Sequence, residues 1–214
     1  MSVDNALIKV PKQEIVKFDE KMFDKISGST FLPRLQLMTA ASDACKSGSF
    51  PINHYALIRG QSNEDVGAAV DVLVVGWRPE ALEIGEQVIS CFDVADPEFA
   101  RIQARTEEPN SGCMFGPEFL IFIPIAKSFA TFFMGSKSSR REAPAIKARM
   151  QKAATLKSQE IKTKKYTWYS PVVTPCTTPF DLPNMDDIAT ELEKFNNPPK
   201  VEIEHVEEGT GRDR

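Results

Sequence analysis

The 214-residue sequence predicts a mainly β protein with minor α structure, built as a closed or partly open antiparallel barrel with an inserted basic helix and terminal extensions. Three observations point there. From Phe31 onward, short runs rich in β-branched and aromatic residues are separated by turn residues, the pattern of a meandering all-β domain. The stretch FLIFIPIA at Phe119–Ala126 is apolar on both faces, which suits a central strand. Helical texture with Ala, Lys, Arg, Met and Leu dominates in one long stretch, Ser138 to Lys157.

The elements follow in order. Residues 1–29 form an N-terminal arm, in which Gln13–Ile26 has Ile15, Phe18, Met22 and Ile26 near helical spacing. Residues 30–170 form the main domain. Strands are expected at Phe31–Met38, Tyr55–Arg59, Ala68–Trp77, Val88–Val94, Phe119–Ala126, Lys127–Met134 and Gln159–Tyr169. Gly60–Asp65 has the composition of a polar turn, and Arg78-Pro79 is expected to end the strand before it. Asp96 is expected to cap a helical turn whose first residue is Pro97. Residues 171–214 comprise a proline-rich linker (Pro171, Pro175, Pro179, Pro183), a helix at Met185–Phe195 and an acidic tail.

Composition sets the outer limits. At 42% hydrophobic and 26% charged residues, the chain has the make-up of an ordinary globular protein. The longest apolar run is far short of the roughly 20 residues that span a bilayer, and no basic and apolar leader opens the chain, so no membrane contact is expected. Cys45, Cys91, Cys113 and Cys176 lack CxxC spacing and have only His54 and His205 as companions. That argues against a structural zinc site and fits reduced thiols in a cytoplasmic protein. No cofactor is expected.

The net charge of −4 conceals a polarised distribution. Residues 136–165 hold 10 basic and 2 acidic side chains, whereas residues 181–208 hold 2 and 9. Within the basic stretch, an extended chain would put Lys162, Lys164, Tyr166 and Trp168 on one face. Ammonium groups interleaved with rings suit a polyanion with unpaired bases: cations meet phosphates and rings stack on bases. Arg78, next to Trp77 at a strand end, repeats the combination.

Catalytic signatures are sparse. There is no GxSxG and no HExxH, and GSKS at Gly135–Ser138 lacks the first glycine and the spacing of a phosphate-cradling loop. Asp93, Asp96 and Glu98 are the one cluster that would suit a metal-dependent nuclease, and the same residues suit the end of a strand and the start of a helix. The chain is therefore expected not to be an enzyme.

In its arrangement over residues 30–170, and in the phrases FFMGSKSSRREAP and KKYTWYSP, the chain resembles the single-stranded DNA-binding proteins of bacteriophages. That resemblance implies an OB-type barrel and a sequence-tolerant strand binder serving replication, recombination or repair. It also implies an acidic C-terminal region that engages replication or recombination proteins. The final Arg212 and Arg214 depart from tails that end in acidic and apolar residues. The expected contacts are Arg78, Lys127, Lys137, Arg140, Arg141, Lys162 and Lys164 for phosphates, with Trp77, Tyr166 and Trp168 as stacking rings. Two alternatives remain: a viral structural or assembly protein whose basic segment contacts an acidic partner, with an oligomer expected, and the metal-dependent nuclease.

Overall fold

The computed structural model describes residues 16–19, 32–60, 62–85, 87–164 and 167–198. It is mainly β, as the sequence predicts. The strands are β1 (Val16–Asp19), β2 (Arg34–Leu37), β3 (Tyr55–Arg59), β4 (Ser62–Gly67), β5 (Ala69–Ile84), β6 (Gln87–Cys91), β7 (Cys113–Ile123), β8 (Ser128–Phe133), β9 (Ala153–Lys162) and β10 (Thr167–Pro175). The helices are α1 (Asp43–Lys46), α2 (Pro97–Arg105), α3 (Lys137–Lys147) and α4 (Met185–Asn196).

The sheet runs β1-β6-β5-β7-β8-β2-β3-β4, with β9 and then β10 branching from β5. Its two path ends share no ladder among the described residues, so the sheet is not closed. All ladders are antiparallel except a short parallel contact between β2 and β8.

The spine is β5. One edge pairs with β7 along most of its length, while the other pairs with β9 at Ala69–Leu73 and with β6 at Ala81–Ile84. The expectation that Arg78-Pro79 ends this strand is therefore corrected. Pro79 lies directly across from Pro117 on β7, so the two residues without an N–H meet at one place in the ladder.

Side-chain alternation gives this sheet two cores. Val70, Val72, Val74, Phe119, Ile121 and Ile123 point to one face, where Ala143 and Ile146 of α3 and Tyr55 and Leu57 of β3 cover them. Leu73, Val75, Leu120 and Phe122 point to the other and pack under α4 through Ile188, Leu192 and Phe195. Gly76 makes room for α4: a Cβ there would come within 2.7 Å of Leu192 Cδ1.

Three further expectations are corrected. Of the helix expected over Gln13–Ile26, only 16–19 are described, and they form strand β1 against β6. The polar segment 62–67 is an edge strand, not a turn, paired with β3. The helix expected to reach Lys157 stops at Lys147. Gln151 takes a left-handed conformation (φ 58°), and its N–H donates to the Val74 carbonyl at 2.7 Å, which commits the chain to the β5 ladder. The proline-rich stretch begins as strand β10, on an edge where a missing N–H costs little. The acidic tail beyond Pro198 lies outside the described residues.

Candidate functional site

Helices α2 and α3 stand on the same face of the sheet with a groove between them. Asp96 starts α2 by accepting from the Glu98 N–H at 2.8 Å, and Pro97 follows as the first helical residue. Ser136 starts α3 in the same way, accepting from the Ser139 N–H at 3.1 Å. The GSKS sequence is thus a helix cap.

The groove encloses about 500 Å³, floored by Trp77, Pro79, Phe115 and Pro117 and walled by Phe99 of α2 and Arg140 and Lys147 of α3. Trp77 is 43% exposed, although the β5 residues Val74 and Val75 before it are buried. Lys147 Nζ lies 3.2 Å from the centroid of the Trp77 ring, a cation held on the π face. The Arg140 guanidinium stacks 4.1 Å from the Phe115 ring and donates to the Phe115 carbonyl at 2.9 Å.

Burial lowers the pKa of both cations. For Lys147 it is the sole cause, and for Arg140 it outweighs the attraction of Glu107. Among the described residues no carboxylate lines the groove. Two partly desolvated cations, Arg140 with Glu107 in range and Lys147 with no carboxylate pulling on it among the described residues, stand beside an open indole, a site whose chemistry matches a planar anion.

Lys147 is the residue sequence reasoning missed. It is seven positions after Arg140, so on any helix that holds both the two share a face, a spacing already present in the Ser138–Lys157 stretch that the sequence predicts to be helical.

The predicted residues that are described fall in four places, of which Arg78 holds one by itself under α4. Trp77 and Arg140 line the groove, with Lys137 and Arg141 exposed on α3 beside it. Lys162, Lys164 and Trp168 belong to the β9–β10 hairpin, and Tyr166 lies outside the described residues. Lys127 sits at the β7–β8 turn and shares a separate groove with Asp181, Asp187 and Glu191, under α4 on the opposite face of the sheet.

The hairpin corrects the single-strand reading of residues 159–169. The chain reverses between Lys162 and Thr167, and Trp168 lies across from Ile161 while Thr167 lies across from Lys162. Directly paired residues share a face, so Trp168 and Lys162 point to opposite faces. Lys162 is also paired with Glu160 at 2.8 Å. Counted along β5 and β9 from the Ala69–Lys157 pair, eight residues lead to Trp77 and four to Ile161. The two indoles are thus separated by about 40 Å of strand path.

Arg78 is turned inward. Its side chain is 14% exposed and pairs with Glu118 at 2.7 Å. The guanidinium lies 3.6 Å from the Phe92 ring and 4.3 Å from the Phe195 ring, and it donates to the Phe195 carbonyl near the end of α4. It fastens the helix to the sheet.

Beside it, Glu80 is buried, accepts from the Ser90 hydroxyl at 2.9 Å through Oε1, and has no hydrogen-bond partner on Oε2 among the described residues. Burial, and then the Glu118 charge, push its carboxyl up to about 8 against the pull of Arg34 and Arg78.

The three carboxylates of the nuclease alternative have local partners. Asp96 caps α2, Asp93 accepts from the Ala95 N–H at 2.9 Å, and Glu98 pairs with Arg101.

No family model matches the chain, and neither a curated protein nor a solved structure matches it. No helix among the described residues is long and apolar enough to cross a membrane.

Proposed function

We propose that the chain is a sequence-nonspecific single-stranded DNA-binding protein of OB-like type, acting in the cytoplasm in DNA replication, recombination or repair. Its principal contact is the groove between α2 and α3. The observation that carries this reading is the placing of Arg140 and Lys147 around the exposed Trp77 in a groove lined by no carboxylate among the described residues.

An anion relieves the partly desolvated cations, and a flat base replaces the ammonium on the ring. Bases within a duplex are already stacked and paired, so a ring at the bottom of a groove favours an unpaired strand. Lys137 and Arg141 continue the cationic track along α3, and the hairpin offers a second contact to a strand that passes around it, with Lys162 on the face of Trp77, Trp168 on the opposite face and Lys164 near the turn. In this reading Arg78 holds α4 and touches no nucleic acid. The acidic C-terminal region engages replication or recombination proteins.

The test is fluorescence anisotropy of a labelled oligo-dT at two salt concentrations without divalent metal, with duplex as competitor. Binding that falls steeply with salt and resists duplex supports the reading. Absence of binding at low salt overturns it.

A further inference from the structure

Two surface patches stand out from the rest of the described molecule. Eight large apolar side chains are exposed, and five of them belong to just two places. Trp77 (43% exposed) and Val94 (64%) line the cationic groove between α2 and α3. Ile125 (76%) and Leu182 (65%) line a groove of about 780 Å³ beside the start of α4, and Met185 (75%) is the first residue of that helix.

The rims of these patches have opposite charge. Around the α4 patch stand Asp181, Asp187 and Glu191 with the neighbouring Asp186, against the cations Lys127 and Lys194, the latter paired with Glu191 at 2.6 Å. Around the other stand Arg140, Arg141 and Lys147. Apolar centres with polar rims are the usual anatomy of an interaction surface. The first-turn position of Asp186 and Asp187 is explained by the helix dipole, but the three bare apolar side chains beside them are not.

The patches also lie on opposite faces of one sheet. The residues under α3 and those under α4 alternate along β5 and β7, so the two helices cover its two sides. A surface on the back of one copy that complements a surface on the front of another is a heterologous contact, which repeats without closing.

We infer that this protein assembles head to tail, the acid-rimmed apolar patch at the start of α4 docking on the cation-rimmed Trp77 groove of a second copy. The contact combines apolar burial of Ile125, Leu182 and Met185 against Trp77 and Val94 with attraction between Asp181 or Asp186 and the α3 cations. Its strength falls with salt, because the charged rims remain near solvent. A strand and a second copy would compete for the same groove, so strand binding and self-association oppose each other at that end.

The experiment is sedimentation velocity of the full chain, freed of nucleic acid, over a range of concentrations at about 0.1 M and about 1 M salt. The expected result at the lower salt is a mass that rises with concentration above 23.8 kDa and returns to that value at the higher. Asp181→Lys with Asp186→Lys, and separately Lys137→Glu with Arg141→Glu, each leave a monomer, and mixing the two variants restores assembly. All four residues are exposed, so folding is expected to survive. A wild-type monomer at every concentration overturns the inference. So does assembly of either double variant alone as strongly as wild type, which would place the interface elsewhere, for example on the β10 edge. No nucleic acid is present, so failure here leaves the strand-binding reading standing, and failure of the oligo-dT titration leaves this one.

Discussion

Lys147 Nζ stands 3.2 Å above the Trp77 ring, so in the free protein a cation occupies the face on which a base would stack. Ring and ammonium then have separable signatures. Trp77→Ala is expected to weaken oligo-dT binding by roughly 1 to 3 kcal/mol with the salt slope unchanged. Lys147→Met keeps most of the stem and is expected to reduce that slope by about 0.7, the value of one phosphate contact on a single strand. Anisotropy titrations across a salt series read both. A Trp77→Ala variant that binds like wild type would remove the groove from the proposed interface.

The separation of the two indoles makes a prediction about length. An oligonucleotide too short to reach from Trp77 to the hairpin should be insensitive to Trp168→Ala, while a longer one should lose roughly one stack, about 1 to 3 kcal/mol. Titrating the same variant with oligo-dT of increasing length gives the answer. Equal affinity of wild type and variant at all lengths would mean that the hairpin takes no part.

Arg78 is expected to matter for stability and not for strand affinity. Removing it leaves Glu118 buried without its counter-ion, a change that costs on the order of 3 to 5 kcal/mol. Denaturant unfolding of Arg78→Met should show that loss, with the fraction that remains folded binding oligo-dT as wild type does. A selective loss of affinity at unchanged stability would return Arg78 to the set of phosphate contacts.

Glu80 ties stability to pH. Its carboxyl is pushed up to about 8 in the folded protein, above the 4.5 of a free side chain, so between these values the folded state holds a proton that the unfolded state has released. Stability from this group is therefore greatest in acid, declines as pH rises from about 4.5 to about 8, and is gone above that. Between pH 6 and 9 the loss is on the order of 2 to 3 kcal/mol. Glu80→Gln is expected to flatten the decline, since the amide resembles the protonated acid and still accepts from Ser90. Thermal melts of both proteins across this range decide it, and parallel pH profiles would contradict the assignment.

Much of the local structure is legible in the chain. The Asp96-Pro97 start of α2, the strand at Tyr55–Arg59 and the α4 helix all follow from capping chemistry, alternation and spacing, which act over a few residues. Sequence reasoning also found Trp77 and Arg140 as members of a basic and aromatic site. It missed Lys147 although Arg140 and Lys147 both fall inside the Ser138–Lys157 helix it drew, seven residues apart on one face, because only the packing of α3 on the sheet shows that this face meets Trp77. It put Trp168 on the face of Lys162 because a turn inside a run of lysines and threonines leaves no glycine or proline to mark it.

By itself, the sequence determined the predominance of β structure, the polarised charge and the identity of the aromatic and cationic residues, since these depend on composition and short-range pattern. Tertiary structure decided which of them meet. Arg78 and Trp77 are neighbours in the chain, yet strand alternation sends one into an ion pair under α4 and the other into an open groove on the opposite face. The continuation of β5 through Pro79 and the end of α3 before the β9 ladder were set by pairing with strands remote in the chain, and that pairing overrides the local preferences of the residues involved.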